Sequence, residues 1–325
     1  MVGLGGCELS DTAIGFLIAL VSSAAFAAYI FPRKLSRLSV WAYQFYLSLA
    51  VAPLCVAVAL AVDRTIVGRS DLVLLSFSCG IIWTLGSLSY STAVDYIGVA
   101  RSTPIKNMAP FFASIYGILI FHEYSLSDPI SLGLAIGGVV LMTVAAIVLG
   151  RASAPESERA LAFQNGSAPE ARRRAFQIGV LASFGAAFFY GAYAIPLKVV
   201  LREGITAYQA VAWLGIGVLV SSFLLFWIKE RRLSPKAEGR QIRLSLVAGA
   251  IWMSGQTLGT VAMVFVPMSI SWPVSNLSTL IAIAWGVWIY KEVHLERHLR
   301  EVGVSLVSYA AGLVMLALAA PAGHV

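Results

Sequence analysis

Lys106 and Asn107 stand side by side about nine residues into the apolar run 97–121. An ammonium in such surroundings holds an anionic group, relays a charge or pairs with a buried acid. The Asn107 carboxamide has two donors and an acceptor, a set that suits sugar hydroxyls or an exposed backbone carbonyl. Asn276 repeats Asn107 and Ser271 repeats Ser102, each 169 positions further on. Trp83 and Trp252 share that offset. Their indole faces can stack on a sugar ring or a planar ligand, and packing is the other use of such a side chain. Gln256, shortly after Trp252 and Ser254, adds another carboxamide inside an apolar run. These residue types bind a polar solute and do no covalent chemistry, so the candidate substrate site is Lys106, Asn107, Asn276, Trp83, Trp252, Gln256, Ser102 and Ser271.

Two stretches of the chain are written twice. Ser102-Thr-Pro104-Ile-Lys-Asn107, with Gly117 and Glu123 behind it, returns as Ser271-Trp-Pro273-Val-Ser-Asn276 with Gly286 and Glu292. Ile14-Gly15, Ala28-Tyr29, Pro32 and Lys34 return at offset 164 as Ile178-Gly179, Ala192-Tyr193, Pro196 and Lys198. Duplicated apolar segments with prolines in register point to internal repeats of the kind transporters use. Pro104 and Pro273 each precede an asparagine by three residues, and a helical proline frees the carbonyl four residues back and kinks the helix. Lys106 faces Ser275 across the repeat, so the charge belongs to one half only. It either lines a cavity or snorkels toward the interface beside Arg101.

The elements that must position these groups are membrane helices. The chain is 59% hydrophobic and 12% charged, with a mean hydropathy of +0.83. A spanning helix needs about 20 apolar residues. Ten such runs are legible: 13–31, 40–62, 72–94, 97–121, 130–150, 178–198, 206–228, 244–266, 268–290 and 302–320. The alternation of a barrel strand is absent. The reading is an all-α polytopic membrane protein with ten transmembrane helices in two inverted five-helix repeats. Residues 1–150 form the first repeat, 151–177 a solvated linker that is partly helical around 156–164, and 178–325 the second repeat. An odd number of spans per half puts the second copy in the membrane upside down. A lysine at the depth of Lys106 costs about 2.5–3.5 kcal/mol on the insertion scale, so it calls for a cavity, a partner or an escape to the interface.

Loops after the odd-numbered runs carry most of the lysines and arginines, including Arg33, Lys34, Arg37, Arg172–Arg174, Lys229, Arg231 and Arg232. The other side holds Arg64, Arg69, Lys198 and Arg202. By the positive-inside rule the linker is cytoplasmic and both termini face out. The same rule explains the pI of 9.4 without nucleic acid. Residues 1–12 lack the basic region of a cleaved secretory signal. Cys7, Cys55 and Cys79 have no ligand spacing and read as apolar fillers. His294 and His298 are four apart, but no third ligand accompanies them. No Walker loop is present, so ATP is not the energy source, and no cofactor is expected. Asp95 and Arg101 flank a short turn and are placed to pair there. Gln44 and Gln209, near the starts of their runs, read as interfacial or as substrate-contacting, and Tyr29 and Tyr193 as reaching either a cavity or the interface. Gly133, Gly137, Gly138, Gly215 and Gly217 permit close helix approach, within the chain or between two copies in a homodimer.

The paired five-span halves, with proline and then glycine and glutamate closing the fourth and ninth runs, resemble the drug/metabolite transporter superfamily. Tyr29-Ile-Phe-Pro32-Arg-Lys34, Tyr193-Ala-Ile-Pro196-Leu-Lys198, Trp83 with Gly86, and Trp252 with Gly255 look like the glucose/ribose and rhamnose type of sugar porter. The resemblance covers nearly the whole chain. It implies secondary active transport of a small sugar or sugar derivative by alternating access at the cell (plasma or inner) membrane, with a coupling proton or cation. An exporter of drugs or amino-acid-like metabolites, or a flippase for a lipid-linked sugar, is the alternative on the same fold. Lys106 departs from that pattern and hints at a carboxylate or phosphate on the substrate.

Overall fold

Every regular element is helical among the residues that the computed structural model describes: 11–109, 112–113, 115–116, 120–121, 128–165, 169–266, 271, 274–275, 277–278, 281 and 299–319. The helices are α1 (Asp11–Ala28), α2 (Ile30–Leu35), α3 (Val40–Val62), α4 (Ser70–Ile97), α5 (Val99–Lys106), α6 (Pro129–Asn165), α7 (Pro169–Ala192), α8 (Ala194–Arg202), α9 (Ala207–Glu230), α10 (Gly239–Phe265) and α11 (Leu299–Ala319). Six segments are long and apolar enough to cross a membrane: Asp11–Arg33, Val40–Val62, Ser70–Ile97, Arg173–Arg202, Ala207–Glu230 and Gly239–Phe265. They fall on the first, second, third, sixth, seventh and eighth runs expected from sequence. Helices α6 and α11 cover the fifth and tenth, and the fourth and ninth lie partly outside the described residues. The chain is an integral multi-pass membrane protein. Its outward side chains fit that setting: Leu74, Leu181 and Val307 are each two-thirds exposed or more, on helix faces that only lipid would cover.

The local chemistry of the helix ends is legible. Ser39 and Thr206 accept hydrogen bonds from the backbone of Ala42 and Gln209, capping α3 and α9. Asp128 precedes Pro129 and accepts from the Ser131 N–H at 3.1 Å and the Ser131 hydroxyl at 2.6 Å. These bonds hold its exposed carboxyl below the ordinary aspartate value. Between α4 and α5 the chain reverses at Gly98, with φ 78° and ψ 166°. A side chain is rarely tolerated in that region, so glycine is what allows one helix to end and the next to start.

Both repeat prolines bend their helices. Pro32 cannot donate to the carbonyl of Ala28, nor Pro196 to that of Ala192, and the turns at Tyr29 and Tyr193 separate α1 from α2 and α7 from α8. The linker differs from expectation. Helix α6 continues from the fifth run to Asn165, and α7 starts at Pro169, so most of 151–177 is helical. At 1.5 Å per residue, α6 is about 55 Å long, well beyond the roughly 30 Å of hydrocarbon. The polar composition of 151–165 therefore belongs to a helix that leaves the membrane.

Helix contacts come in exchanged pairs. Helix α1 packs on α10, and α4 on α7; α3 packs on α10, and α4 on α9; α3 and α9 pack on each other, as do α6 and α11. The exchange holds at single residues. A Cβ on Gly86 would meet Phe189 and Tyr190, and one on Gly255 would meet Ala25 and Phe26, their counterparts at offset 164. Gly15 abuts Val266, while Gly179 abuts Ile97. Helices α3 and α9 run antiparallel: Asp63 at the end of α3 accepts from the Thr206 hydroxyl at the start of α9. At the opposite end, Tyr46 of α3 donates to the Pro235 carbonyl beyond α9 at 2.6 Å. Gly137 meets Met315, and Gly312 meets Met142 and the Gly138 carbonyl. The glycine face of α6 is thus packed against α11 at Gly137 and Gly138, whereas a Cβ on Gly133 would meet open space among the described residues.

Candidate functional site

The repeat elements converge on an open cavity of about 520 Å³, its solvent-facing side included. Its walls come as counterparts: Tyr29 with Tyr193, Trp83 with Trp252, Phe26 with Tyr190, and Lys106 with Ser275. Ala109, Gly259 and Gln256 complete the lining. Trp83 and Trp252 touch each other, ring centroids 3.9 Å apart and 38° between planes. Each is 2% exposed. This tryptophan pair joins α4 to α10 in the cavity wall. Much of their stacking surface is spent on each other and on Tyr190, 6.1 Å from Trp83, which leaves edges for a ligand.

Polar groups on the walls are held firmly. The Tyr193 hydroxyl donates to Gln256 Oε1 at 2.8 Å, and Gln256 Nε2 donates to Thr260 Oγ1 at 3.1 Å. Thr260 in turn donates to the Gln256 carbonyl at 2.9 Å, so the carboxamide has one orientation.

Lys106 is the last residue of α5 and half-buried. Its Nζ lies 5.4 Å from the centroid of the Tyr90 ring and 5.8 Å from that of Tyr190, within reach of both π-faces. Tyr90 is oriented by a 2.8 Å hydrogen bond to Thr103 on α5. Position at a helix C-terminus also favours the cation. Of the two uses the sequence left open for Lys106, the structure shows it on the cavity wall. The helix breaks directly after it: the Met108 N–H reaches back to the Ile105 carbonyl, 3.0 Å away. The counterpart bond, Leu277 N–H to the Val274 carbonyl, has the same length. The interruption therefore falls three residues beyond Pro104, where tightened i to i−3 bonding replaces the α-helical ladder.

Not every expected site residue comes to the cavity. Asn107 is buried behind α5, its N–H bonded to the Thr103 carbonyl. Ser102 is buried and donates to the Gly98 carbonyl at 2.7 Å, a helix-end role. Ser271 is also buried, and none of the three lines the cavity. Pro104 lies within α5. Asn276, Pro273, Glu123 and Glu292 lie outside the described residues. Conversely, Phe26, Tyr190 and Gly259 were missed. Phe26 and Tyr190 stand at offset 164, but they are not identical, and an identity search passes over them.

Two further polar contacts tie helices together. Asp95 pairs with Arg33, whose Nη2 lies 2.6 and 2.7 Å from its two oxygens; the side chain of Arg101, the partner expected from sequence, lies outside the described residues. Arg33 is 4% exposed, donates from Nη1 to the Leu38 carbonyl at 3.0 Å, and sits over the Tyr43 ring. Gln44 is fully buried and is not in the cavity lining, so it takes neither the interfacial nor the substrate-contacting place left open for it. It donates to Ser222 at 3.2 Å and accepts from Ser87 at 2.7 Å, joining α3, α9 and α4.

A central cavity between exchanged helix pairs is the geometry of a carrier, and the family comparison agrees. The family model for sugar transport proteins matches residues 17–319. The chain belongs to that family. The resemblance to sugar porters read from the repeats is thereby borne out, and the protein is a transporter and not an enzyme. Among its relatives, the glucose uptake protein GlcU of Bacillus subtilis is 20% identical over 241 residues, 74% of this chain and 76% of that one. A Lactiplantibacillus plantarum protein named for sugar uptake is 22% identical over 307 residues, 94% of this chain and 99% of that one. A solved crystal structure superposes with a TM-score of 0.64 at 16% identity, over 95% of this chain and 99% of that one, which shows a shared fold.

Proposed function

We propose that this member of the sugar transport family is a secondary active transporter that moves a sugar or sugar derivative by alternating access around the tryptophan-centred cavity. The observation that carries the reading is the cavity's composition: counterpart residues from both halves meet in one aromatic-rimmed void that carries an ammonium, a carboxamide and hydroxyls. Two walls built alike can exchange roles as the inward- and outward-facing gate. A coupling proton or cation belongs to the proposal.

The proposal includes ten spans in two inverted halves, with residues 1–150 and 178–325 as the repeats. Antiparallel contact between the repeat-related α3 and α9 supports it, as do the exchanged glycine contacts. It also places the linker in the cytoplasm and both termini outside. Binding is proposed to involve Lys106, Gln256, Trp83 and Trp252 directly. Asn107, Asn276, Ser102 and Ser271, with the kinks at Pro104 and Pro273, set the broken helices behind them.

The test is counterflow of labelled glucose and related sugars in proteoliposomes of the full chain. Gln256→Leu removes the polar wall and is expected to lower exchange at least tenfold. Exchange equal to wild type, with intact folding, would sink the site assignment.

A further inference from the structure

We infer that the substrate carries one carboxylate on a polyhydroxyl body, a sugar acid, and that this carboxylate pairs with Lys106. The inference rests on the transport reading above and narrows its substrate class. Lys106 lines the cavity, and its ammonium is contacted by two tyrosine faces, at 5.4 and 5.8 Å. Ring faces attract a cation but do not neutralise it. The ion pairs found among the described residues are Arg33 with Asp95, and Arg69 with Asp71 and Glu203; none includes Lys106. Asp95, at the end of α4, is already engaged on both oxygens by Arg33.

The repeat shows that the fold does not require this charge. Ser275, the counterpart of Lys106, lines the same cavity, so a small hydroxyl satisfies the equivalent helix break. The charge is therefore an addition to one wall, placed where a ligand reaches it. The remaining described lining groups are uncharged: hydroxyls, a carboxamide and aromatic edges. A ligand matching both walls has an anion at one end and hydroxyls along the rest. Lys106 is the one charged group among the described lining residues, and its single positive charge balances a monoanionic carboxylate but leaves a phosphate dianion half-compensated.

The experiment uses the full chain in proteoliposomes, with glucose, glucuronate and glucose 6-phosphate compared by uptake and by mutual competition. Glucuronate is expected to outcompete glucose at least tenfold in the wild type. Lys106→Gln is expected to bring that ratio near one, and Lys106→Arg to restore most of it. The wild-type competition needs no variant, so a poorly folding variant does not blunt the test. Glucose equal to or better than glucuronate overturns this inference and leaves the transport reading standing. Preference for glucose 6-phosphate, or a ratio unchanged in Lys106→Gln, overturns it too. Uptake of none of the three overturns both.

Discussion

The Tyr193 hydroxyl and the Gln256 carboxamide show how single atoms set the cavity. Tyr193→Phe leaves Gln256 Oε1 without its donor. The expected loss is about 1 kcal/mol of stability, with a larger relative fall in exchange because the carboxamide then rotates. Thermal unfolding and counterflow on the same preparation measure the two effects, and equal losses in both would argue that Gln256 is structural only. At the Arg33–Asp95 pair the partners are unequal: Arg33 is 4% exposed and Asp95 45%. Asp95→Ala leaves a buried guanidinium without its half-exposed acid and is expected to destabilise by about 1–3 kcal/mol. Replacing both by leucine recovers much of that loss, since desolvation cancels with the charges. A thermal-shift cycle over the four proteins tests this, and strict additivity would show that the two side chains do not interact. Residue types at these positions were readable, but not that Arg33, 62 positions away, would reach Asp95. Proximity along the chain says nothing about which helix end lies alongside.

Helix ends and crossings carry the next set of consequences. Gly98→Ala places a side chain where φ is 78° and ψ 166°, with open space around the new methyl group. The cost is thus pure backbone strain, about 1–3 kcal/mol, visible as a lowered unfolding temperature. A neutral substitution would mean that the turn rearranges. At the α4–α9 crossing, a Cβ on Gly80 would come 2.2 Å from the Leu214 carbonyl, and one on Gly217 would come 2.2 Å from that of Phe77. Backbone cannot yield there as a side-chain tip can. Gly80→Val is therefore expected to abolish monodisperse protein in size-exclusion chromatography, while Gly133→Val, in open space, is expected to leave it intact. Span positions were legible because apolar length is a direct requirement of the bilayer. Only the middle of the helical linker, 156–164, was legible, because polar composition marks exposure to water without forbidding a helix.

Over the whole molecule the consequence is sidedness. Contacts between 63–69 and 203–213 put the ends of α3 and α8 together: Arg69 reaches Glu203 at 3.4 Å, and Trp213 donates to the Ile66 carbonyl at 2.7 Å. Arg37 and Gln241 join the opposite ends at 2.9 Å. Val67 and Leu233 are 80% and 72% exposed and belong to these two separate ends. With the native cysteines replaced, Val67→Cys is expected to react with an impermeant thiol reagent on intact cells, and Leu233→Cys only after permeabilisation. The reverse pattern would invert the proposed orientation.

From residue order alone came the membrane class, the internal repeat and the sugar-porter resemblance. All three depend on composition, apolar run length and identity at a fixed offset, which are properties of the chain before it folds. Lys106, Trp83, Trp252 and Gln256 were identifiable as polar or aromatic groups out of place. What the tertiary structure decided is which of them share a wall. Trp83 and Trp252 are 169 residues apart and meet at 3.9 Å because the exchanged helix pairs cross at one point. Asn107 is adjacent to Lys106 in sequence yet turns away from the cavity, because a helix sends neighbouring side chains about 100° apart.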